Sequence, residues 1–224
     1  MARLAIIHTT TATVELLRSL AAELLPEVAV VNIVDDSILP RLAANGGDLS
    51  AVAPRVLQYA RFAEEGGADV ILEACSSIGE LVEEARRSVR TPVVRIDEAM
   101  AERAIARGPR VGVAATLATT LAPTCRLLER QAAQSGLPIS LRTALVDDAY
   151  RRLMAGDREG HDAALAAALA ELAPSVDCVV LAQASMARVL PALPEEQRAK
   201  FLTSPRLAME RVRDVLAALP GRAP

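Results

Sequence analysis

Aromatic residues are almost missing from this chain of 224: tryptophan is absent, and two tyrosines and two phenylalanines make up 2% of it. There is no stacking platform for bases, and a net charge of −3 offers no basic field for phosphates, which excludes nucleic acid as an expected partner. Only two histidines, His8 and His161, are present and they stand far apart, so a His-rich metal site is excluded and no metal is expected. Three cysteines, Cys75, Cys125 and Cys178, are an odd number without a C-x-x-C pair, which fits neither a disulfide framework nor a zinc site. At least one thiol is therefore free, as a reducing compartment would keep it. No segment approaches the ~18 apolar residues of a membrane span, and the apolar stretch from Leu4 to His8 is far shorter than a signal-peptide core. The expectation is a cytoplasmic protein with no membrane partner.

What is there is aliphatic: 52% of the residues are hydrophobic, so a globular core must be built from Ala, Val, Leu and Ile where helices meet sheets. Strand-like runs at 4–7, 28–34, 70–72, 93–96, 110–114, 139–145 and 178–181 alternate with helical stretches. That alternation predicts an α/β fold, with parallel sheets flanked by helices on both faces. Helices are expected over 50–65, stopped by Gly66-Gly67, and over 161–173, stopped by Pro174. The segment 41–48 reads as a mobile loop of the kind that acts as a lid.

An internal repeat organises the chain. Arg3-Leu4-Ala5-Ile6-Ile7-His8-Thr9 parallels Arg110-Val111-Gly112-Val113-Ala114-Ala115-Thr116, an offset of 107 (3 to 110), and Asp69-Val70-Ile71 parallels Asp177-Cys178-Val179 at 108 (69 to 177). Two similar lobes follow, 1–97 with 206–224 and 98–205, related by a pseudo-two-fold repeat. In this register Cys75 falls on Gln183, Ser76 on Ala184 and Ser77 on Ser185. Ligands of open α/β sheets sit beyond the carboxyl ends of the strands, where His8-Thr9-Thr10, Cys75-Ser76-Ser77, Thr116 with Thr119, and Gln183 with Ser185 all lie. Two lobes facing each other would close these clusters, with Asn32 from the second strand, around one active-site cleft. Its hydroxyls and backbone N–H groups suit a small carboxylate or dicarboxylate.

Cys75 is the candidate catalytic residue. Ser77-Ile78-Gly79-Glu80 matches a capping box, so a helix should start after Ser77 and its unpaired N–H groups should lower the thiol pKa toward neutrality. Such a thiol can move a proton at a carbon next to a carboxylate or attack a carbonyl; the alternative is a small buried hydrophobe. Cys125 and Cys178 read as packing residues. Glu73 should share a strand face with Cys75, where it tunes the thiol, pairs with an arginine or lies at the rim. His8 is either a second acid/base or a hydrogen-bonded structural histidine.

The opening His8-Thr9-Thr10, the run Val70 to Ser77, Arg95-Ile96-Asp97-Glu98, Gly112 to Thr120 and Leu181-Ala182-Gln183-Ala184-Ser185-Met186 together resemble the aspartate/glutamate racemase superfamily. That superfamily includes hydantoin racemase, maleate isomerase and arylmalonate decarboxylase, and the likeness covers nearly the whole chain. The resemblance implies a cofactor-independent enzyme in which each lobe supplies one cysteine, on either face of the substrate's α-carbon. Cys75 matches the first cysteine, Ser76 and Ser77 the polar residues after it, Thr9 and Thr10 the first substrate loop, and Thr116 and Thr119 the second. The second cysteine is replaced by Gln183, which cannot shuttle a proton near neutral pH. The expectation is therefore single-thiol chemistry, isomerase or decarboxylase rather than two-thiol racemase, with Gln183 binding substrate. The alternatives are racemisation with His8 or Glu73 as second base, and a non-catalytic carboxylate-binding protein. Arg18, Arg41 and Arg152 are candidates for a second carboxylate, and a homodimer is expected for so aliphatic a chain.

Overall fold

The computed structural model describes residues 1–220, and it contains two four-stranded parallel sheets, each in its own compact unit. The first unit is Met1–Ile96 joined by the segment from Pro205 onward, and the second is Asp97–Ser204. Of the expected first lobe, residues 221–224 lie outside the described residues.

In the first unit, β1 (Ala2–His8), β2 (Val28–Val34), β3 (Val70–Glu73) and β4 (Val93–Arg95) lie in the order β2-β1-β3-β4. Side chains of β1 alternate between two buried faces. Leu4 and Ile6, with Val70 and Leu72, pack under α1 (Val14–Leu24) and the C-terminal α10 (Ser204–Ala217) through Leu17, Ala21, Met209 and Val212. Ala5, Ile7 and Ile71 face the opposite layer, against Ala60 and Ala63 of α3 (Ala53–Glu65) and Val82 and Ala85 of α4 (Val82–Ser88). Burial on both faces is why β1 and β3 read as continuous apolar runs. The chain must return through α10 to cover the first of these layers.

Residues 41–44, expected as part of a mobile loop, instead belong to α2 (Ile38–Ala44). Ile38 and Leu42, four apart and both buried, pack on Val52, Val56, Ile78 and Leu81, and this shared apolar stripe fixes the segment as helix. Only Asn45 to Asp48 remain a turn, closed by Asn45 Oδ1, which accepts from the N–H groups of Gly47 and Asp48.

The second unit repeats the plan. Its strands β5 (Arg110–Ala115), β6 (Ser140–Leu145), β7 (Cys178–Leu181) and β8 (Phe201–Thr203) lie in the order β6-β5-β7-β8. They are joined through α5 (Glu98–Arg107), α6 (Ala118–Ser135), α7 (Asp147–Met154), α8 (Arg158–Leu172) and α9 (Glu195–Arg198). Leu165 and Leu169 of α8 cover Ala114, Val179 and Leu181. The helix expected from residue 161 starts three residues earlier because Asp157 caps it, accepting from the Gly160 N–H at 2.8 Å.

The repeat holds at the level of single hydrogen bonds. Leu4 pairs with Val70 and Val111 with Cys178, the same step in each sheet. Asp69 accepts from the Arg3 N–H at 2.8 Å, and Asp177 from the Arg110 N–H at 2.9 Å. Ala74 donates to the Ile7 carbonyl and Ala182 to the Ala114 carbonyl, both at 2.9 Å. No helix among the described residues is long and apolar enough to cross a membrane.

Candidate active site

Cys75 follows β3 in extended conformation and starts a 3-10 segment, Ser76–Leu81, that passes into α4 only at Val82. The expected helix start after Ser77 is thus replaced by a tighter turn beginning at Ser76. Its first residues are packed: Ser76, Ser77 and Ile78 are all buried. The N–H groups of Ser77 and Ile78 favour the thiolate, as does the Thr9 hydroxyl, which is buried without a nitrogen or oxygen partner of its own.

These donors lose to two opposing effects. Burial of the sulfur comes first and the Glu73 carboxylate second, and together they push the thiol up to about 11, although the residue as a whole keeps some contact with solvent. The expected lowering is therefore reversed, because a short 3-10 turn supplies a few N–H groups while the desolvated sulfur sits beside an anion. Cys75 rests as a thiol. Burial also raises Cys125, in α6, and Cys178, whose Sγ donates to the Ala104 carbonyl at 3.6 Å.

Glu73 ends β3 almost wholly buried, and its Oε1 accepts from the Cys75 N–H at 2.6 Å. Arg95, equally buried, stands opposite it in the β3–β4 register. No role was assigned to Arg95 from sequence. The signal was there in two short apolar runs, Val70-Ile71-Leu72 and Val93-Val94, each ending in a charge of opposite sign.

His8 is fully buried at the end of β1, and both ring nitrogens are engaged within the first unit. Nε2 is hydrogen-bonded to Asn32 Oδ1 at 2.9 Å and Nδ1 to the Thr13 hydroxyl at 2.8 Å. Burial lowers its pKa, with the Asn32 hydrogen bond partly opposing. These bonds also occupy the Asn32 carbonyl. Thr10 caps the turn that follows, accepting from the Ala12 N–H.

In the second unit Gln183 takes the place that Cys75 has in the first, extended after β7 and opening a 3-10 segment, Ala184–Ala192. Its Oε1 accepts from both the N–H of Thr116, at 2.6 Å, and the Thr116 hydroxyl, at 3.0 Å. Thr116 is the repeat partner of Thr9, so threonine serves thiol and amide alike. With the carbonyl held twice, the group Gln183 presents is its NH2. Thr119 lies in the first turn of α6 and Ser185 is exposed in the 3-10 segment. Arg18 and Arg152 are already ion-paired, with Glu15 and with Asp148 and Asp157. Among the described residues no group of three or more His, Cys, Asp or Glu could hold a metal ion.

A sequence profile of the Asp/Glu/Hydantoin racemase family matches residues 5–212. No curated protein sequence matches the chain. Among solved structures, glutamate racemase from Aquifex pyrophilus is 16% identical with a TM-score of 0.64, covering 95% of this chain and 83% of that one. Allantoin racemase from Klebsiella pneumoniae is 21% identical with a TM-score of 0.67, covering 97% and 88%. A cysteine-substituted variant of arylmalonate decarboxylase, in a sulfate-associated form, is 18% identical with a TM-score of 0.60, covering 98% and 97%. These structures share the fold with this chain.

Proposed function

The chain belongs to the Asp/Glu/hydantoin racemase family, and from that premise we propose that it delivers a proton from one side, through Cys75, to the α-carbon of a small carboxylate or dicarboxylate, without a cofactor. The observation that carries this reading is the amide at the position equivalent to the thiol. Gln183 spends its carbonyl on Thr116 and is left with two N–H donors, which bind a carboxylate and cannot act as a base. Thr116 spends its N–H and hydroxyl on holding Gln183 for substrate, and Thr9, Thr10, Ser76, Ser77, Thr119 and Ser185 supply the remaining hydroxyls and backbone N–H groups. Donors of this kind also stabilise the charge that develops on the carboxylate as the α-carbon becomes a carbanion.

A thiol that rests protonated suits decarboxylation of an activated dicarboxylate better than proton abstraction or attack on a carbonyl, both of which need the thiolate. The bond to the leaving carboxylate breaks with its electron pair kept on the α-carbon, and carbon dioxide departs. The Cys75 S–H then gives its proton to that carbon, and water reprotonates the sulfur. His8, with both nitrogens engaged, is given no part as a second base.

The test is incubation with 2-substituted malonates, and separately with single enantiomers of amino acids and other α-substituted monocarboxylic acids, in deuterated water. One-handed, singly deuterated product that disappears in Cys75→Ala is expected. Exchange of the α-proton from both hands of a monocarboxylic acid would instead establish a two-base racemase, and tight binding without turnover would establish a binding protein.

A further inference from the structure

The two units differ at a second place, at the end of the strand that leads to the thiol. Glu73 opposite Arg95 in the first sheet corresponds by the repeat to Leu181 opposite Thr203 in the second. A buried acid and a buried base thus stand at that end of the first sheet, and an aliphatic residue and a threonine at the same place in the second. Buried charges are held in proteins by pairing and hydrogen bonding, and here such a pair stands in the unit with the thiol while uncharged residues take its place in the other.

We propose that Glu73 is a positioning residue that holds Cys75 in its protonated, proton-donating form. The inference rests on the reading of Cys75 as a proton donor. Glu73 is 2% exposed, and its Oε1 is tied to the backbone N–H of Cys75 itself, which fixes the carboxylate next to the residue that carries the sulfur. In so dry a setting an anion acts on a neighbouring charge far more strongly than in water. A second negative charge on the sulfur is opposed, and the Coulombic effect of Glu73 on the thiol has that sign. Ionisable groups on the packed elements include Arg3 and His8 on β1, Arg55 and Tyr59 on α3, Glu80 in the 3-10 segment and Arg95 on β4. Arg95 faces Glu73 in the register, and Tyr59 donates its hydroxyl to Asp35 at 2.7 Å. Glu73 and the thiol share one strand end, and the donors that favour the thiolate there, the Thr9 hydroxyl and the N–H groups of Ser77 and Ile78, are neutral.

Iodoacetamide alkylation of the full chain across pH 6 to 11, read by peptide-resolved mass spectrometry so that Cys125 and Cys178 are scored separately, tests this without substrate. In the native sequence the Cys75 rate should still be climbing above pH 10. Glu73→Gln keeps an acceptor for the Cys75 N–H and removes the charge, so its profile should shift down by about one pH unit or more, a roughly tenfold faster alkylation at pH 8. Glu73→Asp keeps the charge and should stay near the native profile. A Glu73→Gln profile superimposed on the native one overturns the proposal. So does a native inflection near the ordinary thiol value of about 8.5, which needs no variant to fold. A shifted profile with no carboxylate turned over would overturn the proposed reaction and leave the role of Glu73 standing. An unshifted profile with one-handed deuteration intact would do the reverse.

Discussion

At the scale of single residues, the site is governed by which polar atoms are already spent. His8 spends both ring nitrogens, and burial holds the imidazole neutral in the folded protein. Its folded pKa lies below the ordinary 6.5, so the unfolded chain binds the proton first as pH falls. The stability that neutral His8 contributes is complete above that value and is lost as pH drops through the folded pKa. Melting temperatures from pH 8 to 5 should therefore fall more steeply in the native chain than in His8→Gln, and parallel curves would show that His8 does not titrate against folding. Gln183 is the opposite case, since its NH2 is unspent. Under the proposed role, Gln183→Leu removes a donor to a charged substrate group, a loss of about 1.5–3 kcal/mol. KM should rise roughly 10- to 100-fold with kcat changed less; an unchanged KM would place the carboxylate elsewhere. The position of the thiol was legible from a run of apolar residues ending in Cys-Ser-Ser, yet its protonation state was not. Counting N–H donors at a turn gives the lowering influences, and these are present at Ser77 and Ile78. The desolvation of the sulfur and the fold-back of Glu73 exist only once β1, β3 and β4 are packed.

At the scale of elements, seven of the eight strands among the described residues could be read from apolar runs. β8 could not, because Phe201-Leu202-Thr203 is three residues long behind the charged stretch Glu195 to Lys200 and shows no period. The repeat would have found it, since 108 added to 93–95 of β4 gives 201–203. α2 was missed for a related reason: seven residues containing a proline carry too little pattern, and only contact with Ile78 and Leu81 shows why Ile38 and Leu42 are helical. Leu42→Ala should lower stability by about 2–4 kcal/mol in urea unfolding, whereas a true surface loop would lose almost nothing. The 3-10 segment after Cys75 depends on a glycine for space. A Cβ added at Gly79 would land on the Arg95 guanidinium, with 2.5 Å to its central carbon. Gly79→Ala should therefore cost about 1–3 kcal/mol through overpacking and displace Arg95 from its place opposite Glu73. If Gly79→Ala is as stable as the native chain and alkylates at Cys75 with the same pH profile, Arg95 does not need that space.

At the scale of the whole molecule, the chain is one supersecondary plan written twice and then made unequal at a few side chains. Both copies keep the strand order, the register between the first and third strands of each sheet, and the aspartate that receives the first strand's N–H. They differ in the thiol and the amide, and in the paired residues at the strand end that leads to each. The shared features answer to backbone geometry, which any sheet of this order must satisfy, so they survive in the repeat. The differences answer to chemistry and are visible only when the two copies are aligned. If the shared aspartates do the same backbone work, removing them should have like effects. Asp69→Ala frees the Arg3 N–H and Asp177→Ala the Arg110 N–H, and each should lower the midpoint of thermal unfolding by a comparable amount. Asp177 also accepts from the Arg110 guanidinium, in an exposed position where water and salt weaken the pair, so that bond should add little to its shift. The two sites share no partner in these bonds, so the double variant should shift the midpoint by the sum of the single shifts. A single shift confined to one of the two variants would mean that the matching hydrogen bonds are a coincidence of strand geometry and that the copies are held by different contacts.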